Sequence, residues 1–180
     1  MTVRTLGHGA LGADDFLALC RSAGVEAVVD VRRYPGSRRH PHFGRDAMAR
    51  WVGQAGLEYR WVPALGGRRR AATGSPNVAL RNPQFRGYAD HMRSEEFRRG
   101  CAELVELARS SAVAVVCAES LWWRCHRRLL ADHLVLVEGV PVDHVLPDGR
   151  VTAHEPTAAA RREADHLVYD VMAQQELFEE

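Results

Sequence analysis

The chain has 180 residues, of which 46% are hydrophobic and 26% are charged, and its formal net charge is +1. These fractions are typical of a globular protein, and this length suffices for one domain with a buried core. No apolar run approaches the roughly 20 residues that a membrane helix needs, and the first residues lack the hydrophobic stretch of a signal peptide. The composition argues against a membrane protein, and we expect a cytoplasmic one.

The charged residues are unevenly distributed along the chain. All 24 basic residues are arginines, and twelve of them lie in residues 32–86, against only Asp46 and Glu58. Residues 151–180 instead hold seven acidic residues against Arg161 and Arg162. A neutral protein with a basic segment is organised to meet an anion on one surface, although a solvated arginine-rich loop would give the same pattern.

Strands and helices are predicted to alternate along the chain. Short β-branched or apolar runs predict strands at 3–7, 25–31, 58–62, 112–116 and 141–145. Helical spacing of apolar residues predicts helices from residue 13 to Gly24 and over 45–55, 85–93, 95–109, 129–137 and 157–177. The intervening segment 63–83 contains three prolines and a Gly-Gly pair, and irregular segments of this length are usually functional or disordered.

This alternation predicts an α/β fold, with a mainly parallel sheet of about five strands, helices on both faces, and a C-terminal helix. We expect residues 1–150 to form a single α/β domain and residues 151–180 a C-terminal helical appendage. Cys20 and Cys101 fall in helical apolar patterns and are expected to fill the core as small hydrophobic side chains. The four cysteines are expected to be reduced thiols.

Polar residues follow several of the predicted strands. Parallel sheets bind ligands beyond the carboxyl ends of their strands, so side chains from distant parts of the chain should meet at one edge. The residues at these strand ends are His8, Asp30, Arg32, Arg33, Cys117, Glu119 and His144. We predict that His8, Cys117, Glu119, Cys125 and His126 lie in one pocket, because the first and fourth strands should be neighbours.

The same strand ends carry a resemblance to a known family. The motifs are Thr5-Leu6-Gly7-His8-Gly9, Asp30-Val31-Arg32 with Pro35, Ser37, Arg38 and Phe43, Leu65-Gly66-Gly67-Arg68, Phe85-Arg86-Gly87-Tyr88, and Cys117-Ala118-Glu119 followed by Cys125-His126-Arg127. As a set they resemble the domain-of-unknown-function family numbered 488 over about residues 3–145, with Gly9 in place of the usual Ser. The resemblance implies an α/β fold and no established reaction.

Cys117 and Glu119 are the first candidates for catalysis. A thiol at a strand end, near arginine and a helix N-terminus, would have a lowered pKa and act as a nucleophile. Cysteine-dependent phosphatases need Cys-x5-Arg, whereas the sixth residue after Cys117 is Trp123 and arginine follows only at Arg124. Cys117 could equally be a packed strand-end thiol. Glu119 is the better acid/base candidate.

A second set of residues is assigned to binding or to assisting the reaction. Arginine binds phosphate or carboxylate in a bidentate manner, which suits the residues of the basic segment and of the Cys-His-Arg motif. The candidates for anion binding are Arg32, Arg38, Arg68, Arg127 and His126. His8 and Asp30 are candidates to assist catalysis, and Asp30 could instead fix the guanidinium groups of Arg32 and Arg38. Replacing those two arginines with alanine should leave the fold intact, since both belong to a loop.

Cysteine and histidine are also metal ligands. Cys117, Cys125 and His126 are the candidates, with His8 and Glu119 as further possible ligands. The spacing between the two cysteines matches no zinc-ribbon or zinc-finger pattern. Trp122 and Trp123 lie between them and could either stack on a base or belong to the core.

The C-terminal residues contain a short peptide motif. Gln174, Leu177 and Phe178 fit the Q-x-x-L-F pattern with which bacterial replication and repair proteins bind the sliding clamp. An amphipathic helix end would give the same letters. The motif predicts a sliding-clamp partner and a link to DNA repair.

Three functions remain open from the sequence. The first is an enzyme that acts on an anionic nucleotide or nucleic-acid-like substrate at the carboxyl edge of the sheet. The second is a non-catalytic nucleic-acid-binding accessory protein, in which the same arginines hold phosphates. The third is a metal-binding protein that uses the Cys/His cluster.

Overall fold

The predicted apolar runs form the strands of a twisted sheet in the computed structural model, which describes residues 1–36 and 39–171. The strands are β1 Val3–Gly7, β2 Ala27–Asp30, β3 Glu58–Trp61, β4 Val113–Cys117, β5 Val142–Val145, β6 Val151–Ala153, β7 Ala160–Glu163 and β8 His166–Tyr169. The helices are α1 Ala13–Ser22, α2 Arg45–Gln54, α3 Pro83–His91, α4 Glu95–Ser110 and α5 Arg127–Leu136. Single 3-10 turns occur at Pro41–Phe43, Pro63–Leu65 and Trp122–Arg124.

The main sheet has six strands in the order β3-β2-β4-β1-β5-β6. The first five of these are parallel, and β6 pairs with β5 in the antiparallel direction. The expected mainly parallel α/β architecture is confirmed, with one more strand than expected. Because β1 and β4 are neighbours, Gly7 pairs with Cys117 in the register, and the residues that follow these two strands emerge side by side.

Helices cover both faces of this sheet, as the β-branched strands require. Helices α1 and α2 pack on one face through a cluster that includes Phe16 and Met48. Helices α3, α4 and α5 pack on the other face around Tyr88, Leu104 and Leu129. The crossover after β1 therefore runs over one face and the crossover after β4 over the other, which opens a crevice between the two strand ends. Among the residues described, no helix is both long and apolar enough to cross a bilayer.

The prediction of a C-terminal helix over 157–177 is wrong for residues 157–171, which the structure describes. Strands β7 and β8 form an antiparallel hairpin there, and β6 belongs to the main sheet. The hairpin packs on the core: Leu167 and Tyr169 are buried, and the backbone of Tyr169 bonds to Asn77 and Ala79. Burial of these side chains outweighs the helical propensity of the Ala- and Arg-rich segment. The segment 151–171 is therefore not a helical appendage.

Candidate functional site

A cavity of about 500 Å³ lies beyond the carboxyl ends of β1, β2 and β4. His8, Cys117, Glu119, Cys125 and His126 all line it. The prediction that these five residues share one pocket is confirmed. The cavity is strongly basic: Arg32, Arg33, Arg68, Arg124, His8, His40 and His126 line it, and Glu119 is the single carboxylate among its described lining residues.

Two thiols and an imidazole meet on one side of this cavity. Cys117 ends β4, and the 3-10 turn Trp122–Arg124 brings Cys125 and His126 back beside it. The Nδ1 atom of His126 lies 3.5 Å from Sγ of Cys125 and 4.0 Å from Sγ of Cys117. Burial alone would raise the pKa of the Cys125 thiol. The hydrogen bond with Cys117 and the charges of His126 and Arg127 outweigh this effect and hold the pKa well below its usual value. The hydrogen bond to Cys125, together with burial, raises the pKa of Cys117.

Close approach of the segment 66–68 fixes the position of His126. A Cβ atom added at Gly67 would lie 2.7 Å from Nδ1 of His126. The imidazole therefore packs directly on the Gly67 backbone, which explains why residue 67 is glycine. Arg68 follows with φ of 59°, in the left-handed region, and its exposed side chain lines the cavity.

Arg127 binds the backbone of the loop at Glu119 and Ser120. This side chain is 1% exposed and donates to the carbonyl oxygens of both loop residues and, through Nε at 3.4 Å, to Sγ of Cys125. Arg127 does not line the cavity. Anion binding by Arg127 stays a prediction, which this buried position and the bonds of Nε and Nη2 to the thiol and the loop do not favour.

Asp30 and Arg32 form a buried ion pair. Nε and Nη2 of Arg32 donate to the two carboxylate oxygens of Asp30 at 2.8 and 2.6 Å, and the hydroxyl of Tyr59 donates to Oδ2 at 2.7 Å. Asp30 is fully buried and does not line the cavity, so its geometry supports the fixing of Arg32 rather than a general base. Arg32 is 7% exposed and tied to Asp30, so its loss is predicted to destabilise the fold, contrary to the expectation drawn from its place in a loop.

His8 is bound into the same group. Its Nδ1–H donates to the carbonyl oxygen of Gly9, and its Nε2 accepts from Nη1 of Arg32 at 3.2 Å. Burial, followed by the nearby charge of Arg32, lowers the pKa of His8 to about 4. The ring is neutral at pH 7, and its acceptor atom is already occupied by Arg32. His8 therefore positions Arg32 in the resting geometry.

The arginines that are open to a ligand are Arg33, Arg68 and Arg124, which are only partly buried or exposed. Neither Arg68 nor Arg124 forms an ion pair within residues 1–36 and 39–171. Arg38, another predicted anion-binding residue, lies outside the described residues, as do Gln174, Leu177 and Phe178 of the clamp motif. Anion binding by Arg68 remains a prediction.

Sequence reasoning missed the aromatic wall of the cavity. Tyr34, which is 63% exposed, and the half-buried Phe85 both line it. A shallower depression of about 450 Å³ shares Tyr34 with the cavity and continues past Arg45 to Trp61. Two signals in the sequence could have found this wall: the position of Tyr34 directly after the strand-end arginines and the place of Phe85 in a family motif.

His144, which was expected at the same edge, lies in a separate buried network. Trp122 stacks on its ring at a centroid distance of 3.9 Å, so Trp122 serves the interior. Asp132 accepts from His154, His154 accepts from Nε2 of His144 at 2.9 Å, and Nδ1 of His144 accepts from the hydroxyl of Thr5 at 2.7 Å. Burial, then the charges of His154 and Arg127, lowers the pKa of His144 to about 3.

The sequence model of the family described as Domain of unknown function DUF488 matches residues 12–134. The chain belongs to this family. The DUF488 match contains the strand ends at Asp30 and Cys117 and the loop that leads to His126, whereas His8 precedes it. Comparisons with the curated proteins and with the solved structures gave no match.

Proposed function

We propose that this DUF488 protein is an enzyme that acts on a nucleotide or nucleic-acid-like anion bound in the basic cavity. The proposal rests on one observation: exposed arginines, two thiols and one carboxylate line a single cavity at the carboxyl edge of the sheet. The four cysteines are free thiols, which fits the cytoplasmic location that we propose.

The lining of the cavity suits the two parts of a nucleotide. Guanidinium groups such as those of Arg68 and Arg124 pair with phosphate oxygens in a bidentate manner. Tyr34 and Phe85 offer aromatic faces on which a base can stack, a contact that every base can make. A volume of about 500 Å³ is within the range of small-molecule sites. The adjoining depression at Trp61 extends this surface for a longer strand.

Chemistry is assigned to the thiol side of the cavity. Glu119 is the proposed acid/base group, because it lines the cavity next to Cys117 and one of its oxygens is held by the backbone N–H of Leu121 at 3.2 Å. Cys117, Cys125 and His126 form the proposed reaction centre. His8 and Asp30 assist by holding Arg32 at the cavity wall.

Binding is tested with a fluorescein-labelled single-stranded DNA, followed by polarisation, and with AMP as competitor. Each charge-assisted contact contributes about 1.5–3 kcal/mol, so Arg68→Ala and Arg124→Ala should each weaken binding by roughly 10–100-fold. They should also reduce the dependence of affinity on salt. Arg150→Ala is the matched control, since it removes the same charge at an exposed site that pairs only locally with Asp148. Equal affinity in all three variants would refute the anion site.

A turnover assay distinguishes the proposed enzyme from a non-catalytic accessory protein. AMP and the oligonucleotide are incubated with the protein, and products are identified by mass spectrometry. Glu119→Gln should abolish product without weakening the binding of the anion. Binding that depends on the arginines, without any product from either compound, would favour the nucleic-acid-binding accessory protein.

A further inference from the structure

We propose that Cys117, Cys125 and His126 bind one thiophilic divalent cation, with zinc as the first candidate, and that the fourth coordination position opens into the basic cavity. The binding of the ion stands on the geometry of these three side chains. Its catalytic role rests on the function proposed above.

The three ligand atoms lie close to the separations that a tetrahedral ion imposes. With Zn–S bonds of about 2.3 Å and Zn–N bonds of about 2.0–2.1 Å, a sulfur and a nitrogen ligand lie about 3.6 Å apart. The two sulfur-to-Nδ1 distances are 3.5 and 4.0 Å, and all three ligand atoms lie within 4.8 Å of one another. An ion can therefore bind once the side chains move together by at most about one ångström.

The surroundings support ligation. Nε of Arg127 donates to Sγ of Cys125, which is the kind of outer hydrogen bond that orients a metal ligand. The Gly67 backbone fixes the imidazole with Nδ1 toward both sulfur atoms. Two thiolates and one neutral imidazole also balance the charge of a divalent cation, so the loaded group is neutral where it is buried.

The ligand number indicates a catalytic rather than a structural site. Structural zinc sites are closed by four protein ligands, whereas catalytic sites have three and leave one position for substrate or water. His8 and Glu119, the other predicted ligands, do not belong to the group of ligand atoms that lie within 4.8 Å of one another. All three ligands line the cavity, so an ion there would face an anion held by Arg68 and Arg124.

A second group, Cys101, His133 and Glu138, provides the internal control. Nε2 of His133 lies 3.4 Å from the carboxylate of Glu138, and Sγ of Cys101 lies 3.9 Å from the same oxygen. This group lies between α4 and the end of α5, away from the cavity. Cys101→Ser therefore removes a buried thiol of similar setting without touching the proposed site.

The test is titration of the chelator-treated full chain with Co²⁺, a spectroscopic substitute for zinc. One equivalent of Co²⁺ should give the visible bands of a tetrahedral ion and a thiolate charge-transfer band. Added Zn²⁺ should displace the Co²⁺ and remove both signals. Cys117→Ser and Cys125→Ser should lose the charge-transfer intensity, His126→Ala should shift the visible bands, and Cys101→Ser should match the unaltered chain. An identical spectrum in Cys125→Ser, or no thiolate band in the unaltered chain, overturns the inference.

A second measurement covers variants that fail to fold. The unaltered chain is treated with iodoacetamide with and without Zn²⁺, and alkylated cysteines are identified by mass spectrometry. Zn²⁺ should protect Cys117 and Cys125 and leave the rates at Cys20 and Cys101 unchanged. Equal alkylation of Cys117 and Cys125 in both samples overturns the site. Polarisation of the labelled DNA on the same samples separates the two proposals, because anion binding without metal binding rejects only the cation.

Discussion

Replacing Arg32 with alanine should strongly destabilise the protein. The guanidinium joins both carboxylate oxygens of the fully buried Asp30 and also donates to the carbonyl oxygen of Phe43 at 2.7 Å. In Arg32→Ala, Asp30 keeps its bonds to the hydroxyl of Tyr59 and to the backbone N–H of residue 32. These neutral donors cannot compensate a buried negative charge.

The size of the effect follows from this burial. Removing one partner of a buried ion pair costs about 3–5 kcal/mol, and the orphaned carbonyl of Phe43 adds about 1 kcal/mol. A loss of about 4–6 kcal/mol corresponds to a melting temperature lower by roughly 8–24 °C for a domain of this length.

The measurement is chemical denaturation of the unaltered chain, Arg32→Ala and Arg109→Ala. Arg109 is 65% exposed and pairs with the exposed Glu106, so its loss should cost at most about 1 kcal/mol. The double variant Asp30→Asn/Arg32→Met should be less destabilised than the two single variants together, because it removes the unpaired charge. Equal unfolding free energies for Arg32→Ala and Arg109→Ala would refute the structural role of the pair.

Three further predictions concern other parts of the molecule. The pKa of His144 is about 3 in the folded chain and near 6.5 when unfolded, so the unfolded chain takes up more protons as the pH falls and stability is lost below about pH 6.5. Between pH 7 and pH 5 the unaltered chain should therefore lose about 2 kcal/mol more unfolding free energy than His144→Asn, and equal losses would contradict this. Gly67→Ala should displace His126 and weaken Co²⁺ binding by at least about tenfold, as the metal titration will show, and unchanged affinity would count against the packing described. In a titration with a bacterial sliding clamp, the full chain should bind and a chain truncated before Gln174 should not. Equal binding by both chains would show that the motif does not bind the clamp.

The sheet and its edge could be predicted because local patterns determine them. Runs such as residues 113–116 are apolar on both faces, and such runs occur as buried parallel strands. Polar residues directly after those runs then had to meet at one edge. The same local reasoning failed for the C-terminal hairpin, because burial of Leu167 and Tyr169 against distant residues decided its structure.

The roles of individual arginines could not be predicted. Arg32, Arg68 and Arg127 look alike in a basic sequence, yet two are buried partners of specific groups and one is exposed. The spacing of Cys117 and Cys125, with seven residues between them, also matched no metal motif. Their thiols meet because a 3-10 turn at Trp122–Arg124 bends the chain back, and nothing in the apolar pattern indicates that turn.

The central position of β4 determines when a growing chain can fold. Strand β1 pairs with β4 and β5. Gly7 therefore cannot pair in the sheet until Cys117, more than one hundred residues later, has been synthesised. At about 5–20 residues per second, β4 is synthesised roughly 5–20 s after β1. Strands β2 and β3 can pair earlier, but β1 lacks both of its neighbours in the sheet during this interval, which favours aggregation of the nascent chain.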